Sequence, residues 1–385
     1  MDRKQTAAER FYAVESELIE ISHWMYENPE IAFEEFNTSS RLVDFLRGHG
    51  FEVEFPSFGL DTAFAARAGQ SGPEVVICAE YDALPEVGHA CGHNIIAAAA
   101  LGAGVALLDA ANELGFRIRV QGTPAEEAYG GKVDLITKGA FAGVALSMMI
   151  HPSPADTVDP NFLGVAHLDV EFTGKESHAA FAPQLGINAL DAAVQAYVNV
   201  STLRQALYPT DKVHGVIEYG GGAPNVIPAY TRMSWYVRAA TKERLDTVYE
   251  KVVACFAAAA AATGCSYEIT ERGHTYSDLI SDPLLVSLYL RNSEALGRPM
   301  GRGADLDPSS AGSTDMGNVS HEVPSIHPMI GIKSDPWVNH QKEFAAATIL
   351  PPGDAAIRDG ALAMAYTVID VATGNRWDDL RKIAR

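Results

Sequence analysis

The sequence is short of three things, and each shortage excludes a class of protein. Cysteine is scarce: Cys78, Cys91, Cys255 and Cys265 are the four among 385 residues. They show no CxxC pair and no dense spacing, so reduced thiols are expected rather than a disulfide framework. Positive charge is short, with 29 Lys and Arg against 49 Asp and Glu for a formal net charge of −20. That balance argues against nucleic acid or an anionic membrane surface as a partner, because both reward cationic side chains. Long apolar runs are also missing. Ile95 to Leu108 and Val252 to Ala262 are the longest and are mostly alanine, short of the ~20 residues that span a bilayer. The polar opening Met1 to Thr6 does not read as a signal peptide, so a cytoplasmic location is expected. No internal repeat or low-complexity linker is visible, and 385 residues favour two domains over one.

What is present is period. Phe11, Val14, Leu18 and Ile21 recur at helical steps, predicting one helix from Ala7 to about Tyr26, with Pro29 ending it. A second helix is expected over Ser39 to Gly48 and a buried one over Ala97 to Leu108. Glu74 to Glu80, Phe116 to Gln121 and Ala142 to Ile150 read as strands. Their ends present Asp82, the pair Glu126 and Glu127, and His151, a convergence that packing alone does not explain. The pattern changes near His167. Alternating strands at Leu168 to Phe172, Gly215 to Tyr219, Thr231 to Ala239 and Ser266 to Thr270, with helices expected from Ser177 to about Arg204 and from Thr241 to Ala262, give the split βαβ order of a small α+β domain. The expected class is therefore α/β. A catalytic domain with a mixed sheet flanked by helices (1–166 and 279–385) is interrupted by an inserted ferredoxin-like α+β domain (167–278).

The chemistry concentrates in Val87-Gly-His-Ala-Cys-Gly-His-Asn94. Cys91 and His93 are one residue apart at a helix start, so a thiolate and an imidazole reach one ion together. In the irregular turn after Pro124, one of Glu126 and Glu127 can bind metal while the other acts as general base. His151 and His340 are the best candidates to complete the coordination, and spacing alone does not choose between His151 and the other His-Pro histidine, His327. His167, His214, His274 and His321 read as structural or surface groups. Gly312-Ser-Thr-Asp-Met-Gly317 suits a loop near a site.

Several motifs then occur together and in order: Glu80-Tyr-Asp-Ala-Leu-Pro85, His89-Ala-Cys-Gly-His93, Pro124-Ala-Glu-Glu127, His151-Pro152, Ser177-His178, Pro224-Asn225-Val-Ile-Pro228 and Val237-Arg238. On these residues the chain resembles the aminoacylase and glutamate-carboxypeptidase-like dinuclear metallopeptidases, in their amidohydrolase branch with hippurate and auxin-conjugate hydrolases. Asn94, where that branch commonly has Asp, and the sequence around His340 look more like its p-aminobenzoyl-glutamate hydrolase and β-alanyl-lysine dipeptidase side.

The resemblance implies a metal-dependent amidohydrolase that cleaves the amide of an N-acyl amino acid or dipeptide-like small molecule with a free carboxylate. It implies two divalent metal ions (Zn²⁺ or Mn²⁺, with Co²⁺ or Ni²⁺ as options) held by Cys91, His93, Glu127, His151 and His340. Glu126 is implied as general base, Asp82 as an orienting group, and His178 as a stabiliser of the oxyanion. Asn225 and Arg238 are implied to hold the substrate carboxylate, and the inserted domain to form a lid and a homodimer contact. Two other readings fit the same scaffold, a ligand-binding protein without catalysis and a hydrolase of another carbon–nitrogen bond such as an amidine or ureido group.

Overall fold

The computed structural model describes residues 2–305 and 311–382, which divide into two compact units. The first holds 2–161, 279–305 and 315–382. Its six-stranded sheet runs in the order Glu52–Glu54, Ala65–Ala68, Arg117–Gly122, Glu74–Ala79, Val144–Met148, Ser325–Ile326. The first three strands pair antiparallel and the last four are mutually parallel, so the sheet is mixed as expected. Val75, Val76 and Ile77 are all fully buried, the continuous apolar pattern of a central parallel strand covered on both faces.

Helix His93–Leu114 lies against the sheet and against Arg3–Tyr12, Glu15–Glu27 and Pro351–Thr373. Two glycines let it sit that close. A Cβ on Gly102 would come within 2.7 Å of the Phe11 ring, and one on Gly104 within 2.5 Å of Val120 on the sheet. The helix is 22 residues long and apolar enough to cross a bilayer by length and composition, but 89% of the relevant window is buried inside the protein. It outruns the apolar stretch Ile95 to Leu108 by carrying Asp109, Asn112 and Glu113 in its last turns.

The second unit holds 162–278 and 311–314. It starts ahead of the expected residue 167 because its first strand is Gly164–Thr173. Four antiparallel strands are ordered Ser266–Glu271, Gly164–Thr173, Tyr230–Ala239, Lys212–Tyr219. Leu168, Val170, Phe172, Met233, Trp235 and Val237 form its core with helices Ala189–Leu203 and Lys242–Thr263. Strand, helix, strand, strand, helix, strand in this spatial order is the ferredoxin-like arrangement.

Several local expectations need correcting. The first helix is two, Arg3–Tyr12 and Glu15–Glu27, broken where Val14 adopts φ −120° and ψ 0°. The break was hidden because Phe11, Val14 and Leu18 still all point into the core. No helix starts at Ser177. Ser177–His178 pairs with Val226–Ile227, Pro183 opens a 3₁₀ turn, and the helix begins at Ala189, where the Asn188 side chain accepts the Leu190 and Asp191 N–H groups as an N-cap. The expected strand Ala142 to Ile150 is Val144–Met148, followed by a separate strand, His151–Ser153, paired with Met329–Gly331. Strand Ala65–Ala68 and helix Gly131–Thr137 were not anticipated, both being too short to show a period.

Gly104→Ala should destabilise the first unit by about 1–3 kcal/mol, since the added methyl meets a packed Val120. Its thermal melting midpoint should fall by several degrees, and an unchanged midpoint would mean that the helix has room to move off the sheet.

Candidate metal centre

Three neighbouring parallel strands, Arg117–Gly122, Glu74–Ala79 and Val144–Met148, end at one edge of the sheet, the position where α/β folds place their chemistry. Just past those ends come Glu126 and Glu127, then Glu80 and Asp82, then His151. A fourth strand, Ser325–Ile326, delivers His327 to the same edge.

The segment from Cys91 to His93 is fitted against His151 by one glycine. Gly92 sits at φ 81° as the N-cap of the helix that His93 opens, and a Cβ there would lie 2.8 Å from the Pro152 ring. With only a hydrogen at that point, strand His151–Ser153 approaches closely, and Cys91 Sγ lies 3.4 Å from His151 Nε2. The other His151 nitrogen, Nδ1, lies 2.8 Å from the Pro152 carbonyl oxygen, which leaves Nε2 facing the sulfur.

Asp82 joins two strand ends. Its Oδ1 lies 3.0 Å from His93 Nδ1, and its Oδ2 accepts the Glu127 backbone N–H at 3.0 Å. Ala125, at φ 60°, bends the preceding turn through the left-handed region, a strained conformation for a residue with a Cβ. Its N–H donates to Glu35 Oε1 at 3.0 Å, and Glu35 Oε2 accepts from Thr62 Oγ1 at 2.9 Å. Burial, reinforced by Asp82, pushes the Glu35 carboxyl up to about 7.

His340 arrives from far along the chain. Its backbone N–H donates to the Ala90 carbonyl at 2.8 Å, and Asn339 Nδ2 donates to the Pro152 carbonyl at 3.1 Å. The His340 imidazole is exposed, with Nε2 3.5 Å from Glu127 Oε2. His327 is buried with its ring centroid 5.4 Å from that of His151, and burial drives its pKa down to about 3. Among the described residues, the sets of donor atoms lying within 4.8 Å of one another are Cys91, His93 and His151; Cys91, Glu127 and His340; and Glu80, His93 and Glu126. His340 belongs to one of them and His327 to none.

These donors fit divalent metal. His93 Nε2, Glu80 Oε2 and Glu127 Oε1 are buried with no hydrogen-bond partner among the described residues, a costly arrangement for polar atoms unless an ion receives them. Ligands about 2.0–2.3 Å from one tetrahedral ion lie roughly 3.3–3.8 Å apart, close to the 3.4 Å between Cys91 Sγ and His151 Nε2. Burial raises the Cys91 thiol and the Glu126 carboxyl well above their usual ranges. Glu127 adds to both shifts, while Glu80 adds to that of Glu126. The His93 imidazole is also raised: burial opposes its charge, and Asp82 and Cys91 together more than offset it. For His151, burial lowers the pKa to about 4, so it stays neutral with a lone pair for metal.

A buried triad here escaped sequence reasoning. Lys132 Nζ lies 2.5 Å from Glu80 Oε1 and 2.6 Å from Asp315 Oδ1, and the Lys132 backbone N–H donates to Asp315 Oδ2 at 2.9 Å. All three side chains are fully buried. Burial opposes the Glu80 anion, but the ammonium and neighbouring histidines hold its pKa down at about 2. The glycine-flanked loop had pointed towards Asp315, but nothing local marked its partner, which lies 183 positions earlier. Asn94 turns away from the centre: its Nδ2 donates to Ser22 Oγ at 3.0 Å and Thr348 Oγ1 at 3.1 Å, locking the helix start to two other helical segments.

The remaining expected residues belong to the second unit. Exposed His178 and Asn225 come together across a short ladder, where Val226 pairs with His178 and the Ala179 N–H donates to the Asn225 carbonyl at 3.0 Å. Half-buried Arg238 donates to Ser313 Oγ at 2.7 Å and lies 6.0 Å from the Tyr236 ring centre.

The chain is similar to several known proteins. The family described as "Peptidase dimerisation domain" matches residues 163–264. A mouse Xaa-Arg dipeptidase is 40% identical over 96% of this chain and 88% of its own length. One chain of the p-aminobenzoyl-glutamate hydrolase of Escherichia coli K12 is 29% identical over 65% of this chain and 56% of its own length. A Bacillus subtilis crystal structure, described as a dinuclear metal binding peptidase from the M20 family, superposes with a TM-score of 0.71 at 22% identity, covering 93% of this chain and 99% of that one. Identity at the level of the mouse dipeptidase along almost the whole sequence is decisive, and the chain belongs to the M20 family as a metal-dependent amidohydrolase.

Proposed function

We propose that the protein hydrolyses the amide bond of a dipeptide, or of a related N-acyl amino acid, whose C-terminal residue keeps its free carboxylate and carries a basic side chain. The observation that carries this reading is the buried cluster of sulfur, nitrogen and oxygen donors beside a second carboxylate, Glu126. The basic side chain is supported by the name of the mouse relative, and the formal charge of −20 suits steering of a cationic substrate.

In this reading Cys91, His93 and His151 hold one divalent ion, and Cys91, Glu127 and His340 hold a second. Bound there, the ions supply Lewis acidity to the scissile carbonyl and to water. Asp82 keeps His93 oriented through Nδ1 and steadies the Glu127 backbone. Glu126 takes a proton from water and passes it to the leaving amine nitrogen, as general base and then general acid. His178 steadies the oxyanion, while Asn225 and Arg238 bind the carboxylate, Arg238 through its planar fork.

We also propose that the second unit dimerises along strand Lys212–Tyr219. This strand is the sheet edge, with Val216 59% and Tyr219 47% exposed. An apolar unpaired edge is a template for pairing with another chain, and the dimerisation-domain match covers it.

Three measurements test these assignments. Across a panel of Xaa-Arg, Xaa-Lys and N-acetyl amino acids with Zn²⁺ or Mn²⁺ supplied separately, basic dipeptides should turn over fastest, and no cleavage with either metal would sink the substrate assignment. In the zinc-loaded enzyme, Glu126→Gln should keep its zinc while kcat falls about 10²- to 10⁴-fold; near-normal turnover would remove Glu126 from the base role. In sedimentation, the parent should run at twice 41.2 kDa and Val216→Lys at the monomer mass, an outcome contradicted if both run alike.

A further inference from the structure

The third donor set, Glu80, His93 and Glu126, is not needed for the two ions assigned above, and Glu80 has no part in the proposed catalysis. Its geometry is nonetheless that of a ligand. One oxygen, Oε1, is taken by Lys132 at 2.5 Å, and the other, Oε2, lies 3.4 Å from His93 Nε2. Both facing atoms, Glu80 Oε2 and His93 Nε2, are fully buried and have no hydrogen-bond partner among the described residues. Glu126 Oε2 lies 4.0 Å from the same nitrogen. Asp82 occupies His93 Nδ1, so His93 has a single nitrogen to give and serves one ion at a time.

We propose that the ion bound by His93 has two alternative seats sharing Nε2: a sulfur–nitrogen seat completed by Cys91 and His151, and an oxygen-rich seat completed by Glu80 and Glu126. The inference rests on the metal-centre reading above and adds Glu80 to it as a ligand. Donor chemistry separates the seats. Thiolate with two imidazoles suits zinc or cobalt, whereas two carboxylates with one imidazole suit manganese. Lys132 is the positioning residue, because its bond to Oε1, anchored on Asp315, turns Oε2 towards His93. Occupancy of the oxygen-rich seat engages the Glu126 carboxylate and withdraws it from proton transfer, so the nature of the metal regulates the enzyme through its location.

The test uses metal-stripped full-length protein, titrated with Mn²⁺ followed by paramagnetic resonance and with Co²⁺ followed by the thiolate-to-cobalt absorption band. Cys91→Ser should lose the cobalt band yet keep Mn²⁺ affinity within about threefold. Glu80→Gln should keep the cobalt band, which also reports that it is folded, while its Mn²⁺ dissociation constant rises at least about tenfold. Glu126→Gln should weaken Mn²⁺ in the same way and serves if Glu80→Gln fails to fold. Parent-like Mn²⁺ binding in the glutamate variants, or loss of Mn²⁺ in Cys91→Ser, overturns the second seat. A parent that binds neither metal overturns the metal-centre reading itself.

Discussion

The centre depends on how one carboxylate divides its two oxygens. Asp82 meets His93 Nδ1 with one and the Glu127 N–H with the other, both at 3.0 Å. It thereby registers the end of one strand against a helix start and against the turn after the neighbouring strand. Fixing Nδ1 leaves His93 only Nε2 to offer, and fixing the Glu127 backbone settles where the two glutamates diverge. Such partners outside the donor set decide orientation, and orientation decides whether donors in a low-dielectric site converge on an ion or repel each other.

Around that carboxylate the protein accepts local cost for convergence. Ala125 takes a left-handed backbone, Lys132 is buried between two acids, and several donors have no protein partner among the described residues. These are features a fold carries where chemistry is done. The long helix behind the site, packed closely through Gly102 and Gly104, supplies the rigid support on which Cys91 and His93 are mounted.

The parts of the centre legible in the sequence are those written contiguously. Cys91 and His93 announce themselves by spacing, Glu126 and Glu127 by adjacency, and the parallel strands by unbroken apolar runs. The mixed sheet and the ferredoxin-like insertion follow from element order alone. What was illegible is pairing across the chain: Lys132 meets Glu80 from 52 positions away and Asp315 from 183, and no local pattern encodes either bond. The helix break at Ala13 and Val14 and the extended pairing of Ser177–His178 were missed for another reason, since helical apolar spacing survives a two-residue interruption and a two-residue strand has no period. Asn94 stood out as a departure from the commonest branch, and the structure gives it a packing role with Ser22 and Thr348.

The central claim is that the strand ends of the first unit form a divalent metal centre. Anomalous scattering from crystals of the zinc-loaded protein, recorded on either side of the zinc absorption edge, tests it most directly. The account predicts zinc peaks bounded by Cys91, His93 and His151 and by Cys91, Glu127 and His340; peaks confined to other parts of the molecule, or none at these donors at saturating zinc, would contradict it.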